Sequence, residues 1–168
     1  MTAFSASEPR VRPLSHLLRG MVSLDPDLAS IAVSNLTLDS RKVESGTLFI
    51  AMRGNKADGR DFVNHAVNSG AAAVLVENDI NDIDHFDGMC LAIPDLRSKV
   101  GVIADRFFDH PSSRLFVIGV TGTNGKTSCA FLLTQALNAL GKKSGFIGTT
   151  GWGFDGNLQR GELTAPDA

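Results

Sequence analysis

The sequence has little excess charge, few cysteines and no long apolar run. Its 168 residues carry a net charge of −2, which argues against a nucleic-acid-coating surface because that function usually needs an excess of Lys and Arg. No stretch approaches the roughly 20 apolar residues of a membrane span, and the N-terminus lacks the apolar core of a signal peptide. We therefore expect a cytoplasmic protein that binds neither nucleic acid nor a membrane.

The two cysteines and four histidines form no recognisable metal or redox motif. Cys90 and Cys129 lie 39 residues apart, without a CxxC pair or a suitably spaced His beside either. This spacing predicts two reduced, packed thiols. The histidines are scattered along the chain, so we assign no metal to them.

Strand-like and helix-like segments alternate over the first two thirds of the chain. Apolar runs bounded by glycine or proline predict buried strands, and apolar residues at helical spacing predict amphipathic helices. The predicted strands are residues 46–52, 71–77 and 89–94, and the predicted helices are residues 14–21, 59–70 and 96–111. This order predicts an α/β domain over residues 1–111, with a mostly parallel sheet.

A second α/β segment begins after the sequence HPSSR. The apolar run 115–120 predicts a buried strand, residues 126–140 predict a helix that ends at Gly141, and residues 144–149 predict a further strand. The last 18 residues are glycine-rich and mostly polar. We assign residues 112–168 to the beginning of a second domain.

The segment GTNGKT, residues 122–127, lies between a predicted strand and a predicted helix. Backbone amides and the helix dipole converge in this setting, which favours an anion. Lys126 can reach terminal phosphate oxygens, and the Thr127 hydroxyl is placed to ligate Mg²⁺. Val120 stands where the usual GxxxxGK[ST] pattern has its first glycine. Even with this departure, the segment predicts a site for a nucleoside triphosphate.

Carboxylates are scarce after this loop. Catalysis by P-loop enzymes also needs a second carboxylate for the metal, usually at the end of another buried strand. The acidic residues after Thr127 are Asp155, Glu162 and Asp167, and none of them follows a strong apolar run. The nucleotide-binding domain is therefore expected to be incomplete.

Two blocks of the sequence resemble the Mur ligases, and most closely the MurE type. Residues 36–77 contain a DSR motif followed by GTLFIAMRG, DGR and GAAAVLVE, and residues 119–128 read GVTGTNGKTS. The closing LTAPDA is similar to a segment of the same family. The resemblance covers about residues 36–168.

The resemblance implies a three-domain enzyme of peptidoglycan synthesis. In this family ATP phosphorylates the D-glutamate carboxylate of UDP-N-acetylmuramoyl-L-alanyl-D-glutamate. The amine of meso-diaminopimelate or L-lysine then attacks the acyl phosphate. The resemblance implies a UDP-substrate-binding domain at 1–111, the opening of the central ATP-binding domain at 112–168, and the cofactors ATP and Mg²⁺. A fragment of this kind is expected not to ligate by itself.

Matching positions in the family imply which residues bind each ligand. Lys126 has the catalytic role, and Thr127 ligates Mg²⁺. The ATP loop comprises Gly122, Thr123, Asn124, Gly125, Lys126, Thr127 and Ser128. The uridine-sugar site comprises Leu38, Ser40, Asn55, Lys56 and Ala57, and the residues against the muramoyl-peptide are Leu163, Thr164 and Ala165. Relatives often have His at position 55 and Thr at position 165, so the chain departs from the pattern there.

The residues taken by themselves leave other interpretations open. A P-loop small-molecule kinase or ATPase would explain residues 115–141 but leave residues 36–54 without a role. A noncatalytic UDP-sugar-binding module is the second alternative. Folylpolyglutamate synthetase is disfavoured, because the DSR domain is not part of its pattern. Asp39 and Arg41 are either a turn with a local ion pair or part of the substrate site, and Trp152 is a stacking residue or, preferably, a loop anchor.

Overall fold

The computed structural model of the protein describes residues 10–54, 57–77, 89–154 and 157–159. The chain divides into two compact units, and the division falls between Leu115 and Phe116. In the described part of the chain, the first unit contains a two-stranded and a four-stranded sheet, and the second unit contains a three-stranded sheet. None of the helices in these ranges has the length and apolar character that crossing a bilayer requires.

A parallel sheet of four strands forms the centre of unit 1, the part of the chain before Phe116. Its strands are β3 (Asn35–Thr37), β4 (Thr47–Ala51), β5 (Ala73–Glu77) and β6 (Cys90–Ile93). They lie in the order β3-β4-β5-β6, and every neighbouring pair is parallel. The predicted α/β fold with a mostly parallel sheet is confirmed.

Apolar clusters cover both faces of this sheet, because side chains along each strand alternate between two sides. Leu48, Ile50 and Leu75 belong to the first cluster. Phe49 and Val74 belong to the second. A strand that is buried on both faces has no polar side, so its sequence is a continuous apolar run rather than an alternating one.

The helices of unit 1 supply the other half of each cluster. Helix α1 (Leu14–Leu17) and helix α4 (Leu96–Phe107) pack into the first cluster, and helix α3 (Val63–Asn68) packs into the second. The remaining elements of unit 1 are β1 (Arg12–Pro13), α2 (Pro26–Ala29), β2 (Ala32–Val33) and the 3₁₀ turns Ser40–Lys42, Gly59–Phe62 and Pro111–Arg114. The helix predicted at 59–70 therefore begins as a 3₁₀ turn and continues as α3.

Unit 2, which begins at Phe116, consists of one helix and a three-stranded sheet in its described part. These elements are α5 (Lys126–Ala139), β7 (Gly145–Gly148), β8 (Gly151–Phe154) and β9 (Asn157–Gln159). The sheet order is β7-β8-β9, and both pairs are antiparallel. The helix predicted at 126–140 and the strand predicted at 144–149 are confirmed.

Two predictions for the second half of the chain are wrong. Residues 115–120 form no strand, and Phe116 is 92% exposed. An apolar run becomes a strand only where a neighbour satisfies its backbone groups, and the described strands of unit 2 pair with one another instead. Trp152 lies in β8 opposite Ile147 and is not a loop anchor. The glycines on both sides of Trp152 favoured the prediction of a loop, although these residues form a strand.

Both cysteines are free thiols. Burial raises the pKa of the half-buried Cys90 thiol. Cys129 is exposed, contrary to the prediction of a packed thiol. It lies in α5, most of whose described residues are exposed or only partly buried.

Candidate functional site

The candidate site residues that the structure describes fall into one region of each unit. In unit 1 the four strands run in parallel, so the segments that follow them meet at one edge of the sheet. Ligands of open α/β sheets bind outside this carboxyl edge. Leu38 and Ser40 follow β3, and residues 52–54 and 57–58 follow β4. In unit 2 the loop 122–125 directly precedes α5.

An ion pair shapes the segment after β3. The Asp39 carboxylate accepts a hydrogen bond from the Arg41 amide at 3.0 Å and from the Arg41 guanidinium at 2.8 and 2.9 Å. These hydrogen bonds from Arg41 lower the pKa of Asp39 from 3.8 to about 2. Because the Arg41 side chain is 85% exposed, the pair contributes less than about 1 kcal/mol to stability. Asp39 and Arg41 thus form a turn with a local ion pair.

Asp58 organises the segment after β4 in the same way. Its carboxylate accepts hydrogen bonds from the Arg60 guanidinium at 2.7 to 3.1 Å and from Arg53 Nε at 3.3 Å. The Arg60 side chain holds the pKa of Asp58 well below its ordinary value. Arg97 of α4 donates to the Arg53 carbonyl. The Asp58 carboxylate thus holds two guanidinium groups, those of Arg53 and Arg60, in the segment after β4.

The predicted substrate residues differ in their placement. Ser40 is 9% exposed at the start of its 3₁₀ turn. Leu38 is half-buried against the first apolar cluster. Ala57 is exposed, and its carbonyl accepts a 2.9 Å hydrogen bond from the Gly54 amide. The other predicted substrate residues lie outside the described part of the chain: Asn55, Lys56, Leu163, Thr164 and Ala165.

The loop of unit 2 curls and leaves its amides without backbone partners. Gly122 has φ +145° and Gly125 has φ +76°, a region that residues with a Cβ rarely adopt. No amide of residues 122–128 donates to a carbonyl of the described residues, and the first helical bond runs from Cys129 to Gly125 at 2.8 Å. Unpaired amides at the start of a helix favour an anion, and the helix that follows this loop has 14 residues.

Lys126 folds back across this loop. Its Nζ atom donates to the Gly122 carbonyl at 2.5 Å and to the Thr123 carbonyl at 3.3 Å. An ammonium group has three N–H donors, so it can bind a phosphate oxygen while these contacts persist. The charge of Lys126 is therefore held at the mouth of the loop.

The described part of unit 2 carries positive charge only. Its charged side chains are Lys126, Lys142 and Lys143, and residues 116–154 and 157–159 include no Asp or Glu. Among the described residues of the whole chain, no group of three or more His, Cys, Asp or Glu side chains could hold a metal ion. Mg²⁺ is commonly bound by a few protein oxygens together with substrate phosphates and water. The Thr127 hydroxyl fits that mode as one protein ligand.

Sequence reasoning missed four residues at these sites. Arg60 repeats the Asp-x-Arg spacing of Asp39 and Arg41, and this repeat could have been used to find it. Arg97 bonds the Arg53 carbonyl although the two residues are 44 positions apart in the sequence, and no local pattern connects them. The Thr149 hydroxyl lies 3.1 Å from the Thr127 hydroxyl, although the two residues are 22 positions apart in the sequence. No sequence pattern predicts this contact either.

Comparison with known proteins identifies relatives of this chain. The family model described as "Mur ligase family, catalytic domain" matches residues 32–107. The UDP-N-acetylmuramoyl-L-alanyl-D-glutamate--2,6-diaminopimelate ligase of Ectopseudomonas mendocina is 44% identical over 156 residues, or 92% of this chain. The ligase of the same name from Pseudomonas putida is 46% identical over the same share. The chain belongs to the Mur ligase family.

A solved structure of a protein with that ligase name matches this Mur ligase chain with a TM-score of 0.70. It is 27% identical and covers 88% of the chain. The matched share is 31% and 30% of the two curated relatives and 30% of the solved structure. The chain thus spans about 30% of the length of these relatives. An alignment of 156 residues exceeds unit 1, so the similarity includes residues of both units.

Proposed function

We propose that this chain contributes to an ATP-dependent ligase that adds a diamino acid to UDP-N-acetylmuramoyl-L-alanyl-D-glutamate. The observation that carries the proposal is the identity of 44% and 46%, over 92% of the chain, to ligases whose names specify this substrate. The same names favour 2,6-diaminopimelate over L-lysine. The reaction proceeds through an acyl phosphate of the D-glutamate carboxylate and belongs to peptidoglycan synthesis.

The loop of unit 2 is the proposed ATP site. The amides of residues 122–128 donate hydrogen bonds to the triphosphate oxygens, and Lys126 neutralises charge at the terminal phosphate. Thr127 is the proposed protein ligand of Mg²⁺, which when bound neutralises phosphate oxygens during phosphoryl transfer. The exclusively positive charge of the described part of unit 2 supports this assignment. Since Lys126 stabilises charge in the transferring group, its role is catalytic as well as binding.

The carboxyl edge of the unit 1 sheet is the proposed uridine-sugar site. Ser40 and Ala57 lie in the segments after β3 and β4, and Arg53 and Arg60 lie beside Asp58 in the second of these segments. Residues 1–111 would form the UDP-substrate-binding domain and residues 112–168 the opening of the ATP-binding domain. The proposed roles of residues 55–56 and 163–165 rest on the family resemblance. Because ATP is a cytosolic cosubstrate, this function favours the cytoplasm.

Calorimetric titration of the chain with three ligands tests the proposal. The ligands are UDP-N-acetylmuramoyl-L-alanyl-D-glutamate, ATP with Mg²⁺, and folate. We expect binding heat from the UDP compound, weaker binding of ATP and no heat from folate. Heat from folate without heat from the UDP compound would refute the proposal. Heat from ATP alone would favour a P-loop kinase or ATPase, and heat from the UDP compound alone a noncatalytic binding module.

Replacing Lys126 tests the ATP site. Lys126→Ala removes the ammonium at the loop, and we expect it to abolish ATP binding by the chain and ATP turnover by the complete enzyme. Lys142→Ala is the matched control, because it removes the same charge from the turn after α5. If Lys126→Ala and Lys142→Ala bind ATP equally well, the loop is only a helix cap.

Replacing Ser40 tests the UDP site. A hydrogen bond from the Ser40 hydroxyl to the ligand would be worth about 1 kcal/mol, or about fivefold in affinity. We therefore expect Ser40→Ala to weaken binding of the UDP compound by about that factor. Ser45→Ala is the control, because Ser45 is exposed before β4, at the opposite edge of the sheet.

A further inference from the structure

The Thr127 hydroxyl contacts a residue that no sequence motif includes. Its Oγ1 atom lies 3.1 Å from the Oγ1 atom of Thr149, and either hydroxyl can donate. Thr149 and Thr150 form the two-residue turn between β7 and β8. The candidate magnesium ligand therefore has a side-chain partner that comes from a hairpin tip.

This hairpin is attached to one face of α5, so the contact at its tip is set by packing. Positions 127, 131, 134 and 138 share a helix face because they are spaced by four, three and four residues. At the base of the hairpin, Asn138 bonds the Ser144 amide at 2.9 Å and the Ser144 carbonyl at 3.1 Å. In the middle, the Phe131 and Phe146 rings meet edge to face at 5.9 Å. The Thr127–Thr149 contact is the third point along this line.

The turn itself leaves little freedom at Thr149. Gly148 and Gly151 are paired across the hairpin. A Cβ at Gly148 would lie 2.4 Å from the Phe146 ring. Gly151 is buried and has φ +133°, where residues with a Cβ are strained. The turn that carries Thr149 is thus bounded by two glycines, of which Gly151 has a backbone conformation that favours glycine.

Thr127 also differs from the other buried or half-buried threonine of the same helix face. Thr134 donates to the carbonyl four residues earlier, that of Ala130, at 2.9 Å. The equivalent carbonyl for Thr127 is that of Thr123, which accepts from Lys126 Nζ. The Thr127 hydroxyl is directed to Thr149 rather than to its own helix. Its hydrogen-bonding partner is the Thr149 hydroxyl, and either hydroxyl can donate.

We propose that Thr149 is a positioning residue for the magnesium nucleotide, acting through the Thr127 hydroxyl. This inference rests on the proposed function of the loop. A hydroxyl has one proton and two lone pairs. When Thr149 Oγ1 accepts the proton of Thr127, the lone pairs of Thr127 are left for Mg²⁺. Partners that orient a metal ligand in this way typically contribute about 10- to 100-fold to metal affinity.

The test compares ATP binding with and without Mg²⁺ in variants of the chain. Thr149→Val keeps the shape of the side chain but removes the hydroxyl, Thr149→Ser keeps the hydroxyl, and Thr150→Val is the control at the neighbouring turn position. By calorimetry, we expect Thr149→Val to weaken Mg²⁺·ATP binding about 10-fold and to leave ATP binding in EDTA unchanged. Thr149→Ser should restore the Mg²⁺-dependent affinity, and Thr150→Val should match the unsubstituted chain.

Three results of these titrations would overturn the inference. An equal loss with Mg²⁺ and in EDTA would mean that Thr149 only shapes the loop. No loss in Thr149→Val would mean that the contact is irrelevant, while the proposed ATP site would stand. No ATP binding by the unsubstituted chain would overturn the proposed ATP site and this inference together. If Thr149→Val fails to fold, Thr149→Ala supports the same comparison with Thr149→Ser.

Discussion

Gly59 begins the 3₁₀ turn after β4 at a point where the Met52 backbone passes close by. A Cβ at position 59 would lie 2.6 Å from the Met52 carbonyl oxygen and 2.8 Å from the Met52 nitrogen. The Gly59 amide also donates to that carbonyl at 2.9 Å. Since the opposing atoms are backbone atoms, no rotamer change relieves the contact. Gly59→Ala must therefore move the turn that carries Asp58 at the carboxyl edge of the sheet.

The size of the effect follows from the contact distance. Close carbon–oxygen contacts begin at about 3.3 Å, so the turn must shift by roughly 0.7 Å. Overpacking of this kind typically costs about 1–3 kcal/mol. The matched control is Gly101→Ala in α4, where a Cβ would meet no atom within 4 Å. Alanine is favoured over glycine in a helix by about 1 kcal/mol, so the two variants should change stability in opposite directions.

The assay must report unit 1 separately. The single tryptophan, Trp152, lies in unit 2 and the chain has no tyrosine, so fluorescence does not follow unit 1. Amide hydrogen exchange of the β4 and β5 strands in increasing urea reports the opening of the parallel sheet. We expect Gly59→Ala to lower the free energy of opening by about 2 kcal/mol. Protection equal to that of Gly101→Ala would refute the close approach at position 59.

Three further predictions concern the cores and the titration of the two units. Leu75→Ala in the centre of the parallel sheet should lower the free energy of unfolding by about 2–5 kcal/mol. Val102→Ala is the control, because the Val102 side chain is 44% exposed. It should change the free energy of unfolding by less than about 0.5 kcal/mol in the same urea titration. The pKa of Asp39 is lowered to about 2, so the contribution of its ionised carboxylate to stability is present above pH 4 and is lost as the pH falls towards 2. An NMR titration that gives Asp39 an ordinary pKa would contradict this prediction. Asn138→Ala removes the bonds at the base of the hairpin and should cost unit 2 about 1–3 kcal/mol, measured by tryptophan fluorescence in urea.

Much of the fold could be predicted because its signals are local. The strands β4, β5 and β6 appear as short apolar runs bounded by glycine or proline, and α4 and α5 appear as helical spacing with clear ends. The same local character made the GTNGKT loop recognisable. The curl of this loop needs glycine at positions 122 and 125, where φ is positive, and both glycines are visible without any knowledge of the rest of the fold.

The wrong predictions concern segments whose structure depends on a neighbour. Residues 115–120 have the composition of a buried strand, but the described chain offers them no strand partner. Residues 151–154 have the glycine content of a loop, but pairing with β7 and β9 makes them a strand. Composition determines whether a residue can enter a strand, and a partner determines whether it does.

The sequence by itself determined the parallel α/β character of unit 1 and the glycine-containing loop before α5 in unit 2, since both depend on residues that are close along the chain. The tertiary structure alone decided that Arg97 reaches the Arg53 carbonyl and that Thr149 reaches the Thr127 hydroxyl. Such contacts join segments that only sheet pairing and helix packing bring together. Their side chains carry no periodicity or spacing that a sequence pattern could record.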